Sequence, residues 1–92
     1  MRVITEKLPI GETITYVGES ANVIEADILG TRTVYVEHHD KSFPGRATVS
    51  PDGKEILVSF GTPFTHDEWA NLRRSVDDIC AVFEEYRKEK EA

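Results

Sequence analysis

Hydrophobic and polar residues alternate along the first two thirds of the chain, and short turn-forming segments interrupt the alternation. Val, Ile, Thr and Tyr dominate the alternating runs, whereas Gly, Pro, Asn and Asp dominate the interruptions. This pattern predicts antiparallel strands joined by tight turns. The runs that fit a strand are 2–8, 12–17, 22–29, 32–39, 46–50 and 54–60.

Two of the links between these runs predict which strands pair. Residues 30–31 (Gly-Thr) put glycine first in a two-residue link, which is typical of a type II′ hairpin. Residues 50–53 (Ser-Pro-Asp-Gly) are typical of a type I turn closed by a glycine bulge. We therefore expect the third run to pair with the fourth, and the fifth with the sixth.

Alternation also assigns side chains to the two faces of the predicted sheet, because neighbouring side chains in a strand point to opposite sides. The expected inward set is Ile14, Tyr16, Ile24, Ala26, Ile28, Val34, Val36, Ile56, Val58 and Phe60. The first run alternates poorly, so we expect it at an edge of the sheet.

The last third of the chain has a helical pattern. Thr65 and Glu68 have the spacing of a capping box, and Phe64 and Trp69 occupy the positions of a hydrophobic staple. Apolar residues then recur every three or four positions. This stripe consists of Trp69, Leu72, Val76, Ile79, Phe83 and Tyr86, with Cys80 and Val82 at its margins.

These patterns together predict one α+β domain over residues 1–92. We expect an antiparallel meander of five or six strands, followed by one long C-terminal helix packed on the sheet. Two explanations of the apolar stripe stay open. Either a curved sheet covers all of it, or part of it buries against a second copy, in which case the same six residues form the seam of a homodimer.

Charge and hydropathy narrow the function classes. The formal net charge is −6, from 17 acidic and 11 basic side chains. Nucleic-acid recognition usually relies on clustered Lys and Arg, so this balance disfavours nucleic acid as a partner. No run is apolar enough to span a membrane, and the first residues lack the pattern of a secretory signal. We therefore expect a cytoplasmic protein without a membrane partner.

The most suggestive chemistry lies at the end of the fourth run, where His38 and His39 stand between Glu37 and Asp40. On a strand, two adjacent histidines point to opposite faces, so they cannot hold one ion together. A composite metal site with His66 has no recognised ligand spacing. We interpret the stretch as the polar end of a strand that leads into a loop.

The remaining candidate chemistry also favours a protein that is not an enzyme. Cys80 lies at the margin of the apolar stripe, which is typical of a small core residue and not of an activated thiolate. The glycines follow no phosphate-binding pattern. We expect no catalytic residues, no metal and no cofactor.

The outward face of the predicted sheet is the other candidate site. It carries Thr13, Thr15, Thr33, Tyr35, Glu37 and His39. Such a face is either simply solvated or a polar, aromatic-bearing binding surface. On the second interpretation, the candidate binding residues are Tyr35, Glu37 and His39.

The start of the helix resembles the terminal helix of the positive-cofactor-four family of transcriptional coactivators. The residues that carry the resemblance are Thr65-His66-Asp67-Glu68-Trp69-Ala70-Asn71-Leu72, Val76, Asp78 and Ile79. The resemblance implies a sheet followed by one helix, a dimer, and single-stranded DNA bound by the sheets. It implies that Trp69, Leu72, Val76 and Ile79 pack the helix and a dimer seam. The basic sheet ridge of that family has no counterpart here.

We expect a small acidic interaction or regulatory module that binds another protein. Inhibition of a nucleic-acid-handling protein is one such role, because carboxylates can occupy positions where phosphates would dock. The alternative is a dimer of coactivator-like fold that binds single-stranded nucleic acid.

Overall fold

The computed structural model describes residues 1–91. Six strands come first in the chain and one long helix comes last. The elements are β1 (Arg2–Leu8), β2 (Gly11–Val17), β3 (Ala21–Ile28), β4 (Thr31–His38), β5 (Gly45–Val49), β6 (Ile56–Phe60), a 3₁₀ turn (His66–Glu68) and α1 (Trp69–Glu91). Within this described range, no helix has the length and apolarity needed to cross a membrane.

The six strands form one antiparallel sheet in the order β1-β2-β3-β4-β5-β6, so each strand pairs with its neighbour along the chain. Helix α1 lies across one face of the sheet and contacts β3, β4 and β6. We call this face the helix side and the opposite face the open face. The α+β fold predicted from the sequence is confirmed.

The hairpin between β3 and β4 joins the expected strands, but its turn lies one residue earlier than predicted. Leu29 (φ 51°) and Gly30 (φ 80°) are the two turn residues, and both adopt left-handed backbone, as a type I′ turn requires. Glycine therefore takes the second position of the turn and not the first. The exposed Leu29 donates its backbone N–H to the carbonyl of Ile10 at 2.9 Å.

The predicted face of β3 is wrong. In the observed register Val23 lies opposite Val36, and Glu25 lies opposite Val34, so the odd-numbered residues of β3 point to the helix side. Ile24, Ala26 and Ile28, which were expected inside, lie on the open face and are half-buried. Alternation misleads here because the even-numbered residues of β3 include Ile24, Ala26 and Ile28, whereas Glu25 and Asp27 make the odd-numbered parity look solvent-exposed.

The core lies between the helix side of the sheet and α1. Val23 and Ile79 are its largest fully buried side chains, and the helix also buries Leu72, Val82, Phe83 and Tyr86. The backbone of Gly18 approaches Val82 so closely that a Cβ at this position would overlap a methyl group of that valine. The chain thus covers most of the apolar stripe of its own helix.

The predicted start of the helix is confirmed in detail. The backbone N–H of Glu68 donates to the Thr65 hydroxyl at 3.3 Å, and the Thr65 N–H donates to the Glu68 carboxylate at 2.9 Å. Together these bonds form the capping box. The rings of Phe64 and Trp69 stack with centroids 5.9 Å apart, as the staple positions predict.

A buried carboxylate joins the sheet to the end of the helix. Glu25 is 6% exposed and accepts hydrogen bonds from the hydroxyls of Tyr86 at 2.7 Å and Tyr16 at 3.1 Å. Arg32 and Lys90 approach the same carboxylate at 2.8 Å and 3.2 Å. Burial of such a charge is costly unless every lone pair has a partner, and here four donors supply them.

Candidate binding surface

The register of the sheet places one row of side chains across all six strands on the open face. Each member of the row lies directly opposite the next, from β1 through to β6. The row consists of Ile4, Thr15, Ile24, Tyr35, Thr48 and Leu57. None of these side chains is charged, so the row forms an apolar and hydroxyl-bearing stripe across an acidic protein.

Three members of this row are well exposed. Ile4 is 46% exposed, Tyr35 is 36% exposed and Leu57 is 67% exposed. A single exposed apolar residue is ordinary, but exposed apolar residues at both edges and in the middle of one row form a pattern. In the part of the chain that the structure describes, α1 lies over the other face and leaves the row uncovered.

A cleft interrupts the open face between β4 and β5. The two strands pair at only two positions, Tyr35 with Thr48 and Val36 with Ala47. Beyond these positions the link between the strands separates them and opens a cleft of about 610 Å³. Its lining on the open face comprises Thr33, Tyr35, Glu37, Arg46 and Thr48.

The cleft carries both signs of charge at its rim. Lys41 lies 3.4 Å from the carboxylate of Glu37, and Arg46 is exposed on the other wall. The ion pair is exposed, so it contributes little to stability and is free to exchange for groups on a partner. The arrangement brings an aromatic ring, hydroxyls and charges of both signs together at one cleft.

Two of the three predicted binding residues line this cleft, and the third lies beside it. Tyr35 and Glu37 lie two positions apart on the open face. His39 follows the end of β4, where its Nε2 lies 2.9 Å from the side-chain oxygen of Asn22. Their binding role stays a prediction, and the structure places all three at one end of the same face.

Sequence reasoning did not identify five contributors to this surface, namely Ile4, Ile24, Arg46, Thr48 and Leu57. Arg46 and Thr48 were missed because nothing in the link between β4 and β5 predicts how those strands pair. Ile24 was missed because it was assigned to the inward face. For Ile24 the sequence of β3 did contain a signal. Val23 and Ile24 are both apolar, so either face of the strand could be the buried one.

The histidine-bearing stretch has a structural role on the helix side. Nε2 of His38 lies 3.2 Å from the carboxylate of Asp78 on α1, and Nδ1 accepts the backbone N–H of Asp40 at 2.9 Å. The second bond requires an unprotonated Nδ1, so the neutral ring carries its proton on Nε2 and donates it to Asp78. His38 and His39 therefore serve opposite faces, and both nitrogens of His38 are already engaged.

The remaining candidate chemistry is metal binding and the thiol of Cys80. Among residues 1–91, no three His, Cys, Asp or Glu side chains gather closely enough to hold an ion. Cys80 is exposed and does not belong to the core, which corrects the sequence interpretation. Partial desolvation of its sulfur, with Asp77 and Glu84 nearby, raises the pKa of the thiol, so the reactive thiolate is disfavoured.

The residues proposed for a helix seam mostly pack inside the chain itself. Leu72, Ile79, Phe83 and Tyr86 are buried in this single chain, and all except Leu72 belong to the same core cluster as the helix side of the sheet. Val76 is half-buried, and Trp69 is 45% exposed. A dimer seam on the helix stays a prediction, with Trp69 and Val76 as the members that remain accessible.

Comparison with protein-family models, with curated proteins and with solved structures finds no match to this chain. Any assignment of function therefore rests on the residues and their geometry.

Proposed function

We propose that this chain is a non-enzymatic protein-interaction module that binds a partner protein on the open face of its sheet. The observation that carries the proposal is the uncharged row that crosses all six strands and that α1 leaves uncovered. Apolar area of this kind gains free energy when another surface removes it from water.

The composition of the open face supports a protein as the partner. Tyr35 stands at its centre, next to the cleft, and aromatic anchors beside pockets contribute most to many protein interfaces. Threonines fill the row between the apolar residues and can hydrogen-bond to a partner. The charges nearest the centre, Glu37 and Arg46, are of opposite sign, so this part of the face does not impose a strong field of one sign.

The net charge of −6 bears on the class of partner. A protein with a basic surface, such as one that handles nucleic acid, would be attracted at long range. Inhibition of such a protein is the regulatory role that this charge favours. Long-range attraction raises the association rate, whereas the contacts on the open face would set the lifetime of the complex.

The test compares capture of partners by the wild-type chain and by two variants that each add one lysine at an exposed apolar position. Leu57→Lys places the charge on the open face, and Ala81→Lys places it on the solvent side of α1. Specific partners from an extract of the source cells should bind the wild type and Ala81→Lys, and should be lost with Leu57→Lys. Loss with Ala81→Lys alone would move the binding surface to the helix.

Tyr35→Ala gives a quantitative version of the test once a partner is in hand. Removing a central aromatic anchor should raise the dissociation constant by about tenfold or more. A parallel titration with labelled single-stranded oligonucleotide measures the alternative function. Oligonucleotide binding that weakens steeply with salt, without any protein partner, would replace this proposal with nucleic-acid recognition.

A further inference from the structure

Strand β1 is an edge of the sheet that no other strand of the described chain covers. All seven of its residues are exposed, and it pairs with β2 along its full length without a bulge. The strand RVITEKL contains no proline. Natural edge strands usually carry a proline, a bulge, charged side chains or a covering element that discourages further pairing. Of these features, β1 in the described chain has only the charged side chains of Arg2, Glu6 and Lys7, so its outer side still presents a regular row of backbone donors and acceptors.

The backbone groups that face this edge can be assigned from the turn that follows. Residues 9–10 form a two-residue turn, so Leu8 and Gly11 are a hydrogen-bonded pair. Hydrogen-bonded and non-hydrogen-bonded pairs alternate along an antiparallel ladder. Val3 and Thr5 therefore direct their N–H and C=O groups away from β2, to the free edge.

The side chains of β1 select one partner for this edge. We propose that two copies of this chain pair through their β1 strands, antiparallel and with Ile4 opposite Ile4 on the two-fold axis. In this register Arg2 of each copy lies opposite Glu6 of the other, so two pairs of opposite charges flank the central isoleucines on the open face. Val3 lies opposite Thr5 on the helix side, where their free backbone groups hydrogen-bond.

The neighbouring registers are less favourable. Residues that lie opposite each other must be on the same face of the sheet. Every allowed register of the symmetric pair therefore places one residue of β1 on the two-fold axis. With Thr5 on the axis, Ile4 lies opposite Glu6 and Arg2 lies opposite Leu8. With Glu6 on the axis, two like charges oppose each other, which is destabilising. Only the register centred on Ile4 matches charge with charge and apolar with apolar.

The other edge of the sheet, strand β6, has no charge pattern that would favour one pairing register. Strand β6 (ILVSF) has five residues and no charged side chain, and α1 contacts it on the helix side. A two-fold contact through β1 also closes on itself as a dimer, whereas pairing of β1 with β6 is head-to-tail and leads to a ring or an open filament. In the closed dimer both helices lie on one side, and the two open faces join into one continuous face. The pairing does not depend on the proposed binding function.

Charge reversal tests the pairing in solution. Sedimentation equilibrium of the wild-type chain should give twice the chain mass of 10.4 kDa, with dissociation on dilution. Arg2→Glu or Glu6→Arg alone places like charges opposite each other at two positions, so the dissociation constant should rise about tenfold or more. The double variant R2E/E6R restores opposite charges and should restore the dimer.

Two controls have the same change in net charge but lie elsewhere. Lys54→Glu matches Arg2→Glu, and Glu55→Arg matches Glu6→Arg, and both positions are exposed in the link between β5 and β6. These variants should dimerise like the wild type. Circular dichroism establishes that each variant is folded. A chain that stays monomeric at its highest soluble concentration, or a double variant that stays dissociated, would overturn the proposal.

Cysteine pairing then fixes the register. In a Cys80→Ser background, Ile4→Cys places two thiols across the two-fold axis, where opposed Cα atoms about 4.5–5.5 Å apart suit a disulfide. Mild oxidation should give a covalent dimer from Ile4→Cys and little from Thr5→Cys. Rapid crosslinking of Thr5→Cys, or none at either position, would exclude this register.

Discussion

The two faces of strand β3 reverse the usual distribution of charge. On the helix side β3 buries a carboxylate, Glu25, among tyrosines, whereas on the open face the same strand leaves Ile24 half-buried beside an exposed Tyr35. Residue type therefore does not decide which face is inside. A charge is stable in the interior when all its partners are supplied, and an apolar row left in water is available to a partner.

The largest expected effect is the loss of the Glu25 carboxylate. Glu25→Ala leaves the buried hydroxyls of Tyr16 and Tyr86 without their acceptor, and it separates β3 from the end of α1. We expect the free energy of unfolding to fall by about 3–5 kcal/mol, measured by urea denaturation.

The matched control for this variant is a glutamate on the open face. Glu37→Ala removes an exposed carboxylate with one exposed lysine partner, so stability should change by about 0.5 kcal/mol or less. Equal losses for the two variants would mean that the Glu25 cluster is not the contact that holds the helix end to the sheet.

The next effect compares apolar residues on the two sides. Ile79 is fully buried under the sheet, and Ile79→Ala should lower the free energy of unfolding by about 2–5 kcal/mol through lost burial and a residual cavity. Leu57 on the open face is 67% exposed, so Leu57→Ala should lower it by about 0.5 kcal/mol or less. A large loss at Leu57 would show that the open face is covered in solution, for example by a second copy.

These two comparisons also show what the sequence could and could not predict. The capping box at Thr65, the turn at residues 50–53 and the helical stripe involve neighbours in the chain, so local patterns identified them. The predicted glycine bulge is wrong, because the Ser50 N–H donates to the Glu55 carbonyl and the ladder from Val49 and Ile56 continues without an extra residue. The observed turn at residue 53 has the expected bond, from the Gly53 N–H to the Ser50 carbonyl at 2.9 Å. Strand order followed from short links between neighbouring strands.

The inward face of β3 was in fact predictable, because a two-residue turn at either position places odd-numbered β3 residues opposite even-numbered β4 residues such as Val34 and Val36. What makes Glu25 stable on that face lies far away in the sequence. Glu25 is acceptable in the interior only because Tyr86, which is 61 residues later, donates to it. The one-residue shift of the turn at Leu29 has a similar origin, since the register that results places Val23 opposite Val36. The cleft was hidden for the same reason, because the pairing of β4 with β5 depends on tertiary packing.

Acid is a milder way to test the buried carboxylate. Burial alone would raise the pKa of Glu25, but hydrogen bonds from Tyr86, Lys90 and Tyr16 outweigh it and hold the pKa below its usual value. The unfolded chain therefore binds a proton at a higher pH than the folded chain does. The stabilisation by Glu25 is complete above the unfolded value near 4.5 and is lost as the pH falls through the lower folded value.

Comparison with Glu25→Gln, which cannot titrate at this position, separates this pH effect from general acid denaturation. The difference in unfolding free energy between the two chains should be largest at neutral pH and should shrink below about pH 4.5. It should be smaller than the effect of Glu25→Ala, because glutamine still accepts a hydrogen bond from a tyrosine. A difference that stays constant down to acid pH would contradict the lowered pKa.

The smallest expected effect separates the contribution of local capping to the stability of α1 from that of its packing on the sheet. Thr65→Ala removes the hydroxyl that accepts the Glu68 N–H, while every contact between α1 and the sheet remains. We expect a loss of about 1 kcal/mol in the free energy of unfolding, and almost none for Thr62→Ala in the preceding exposed link. If Thr65→Ala costs as much as Ile79→Ala, local capping governs the helix as strongly as burial does. If the cost is small, as expected, the sheet holds α1 in place and the cap only defines where the helix begins.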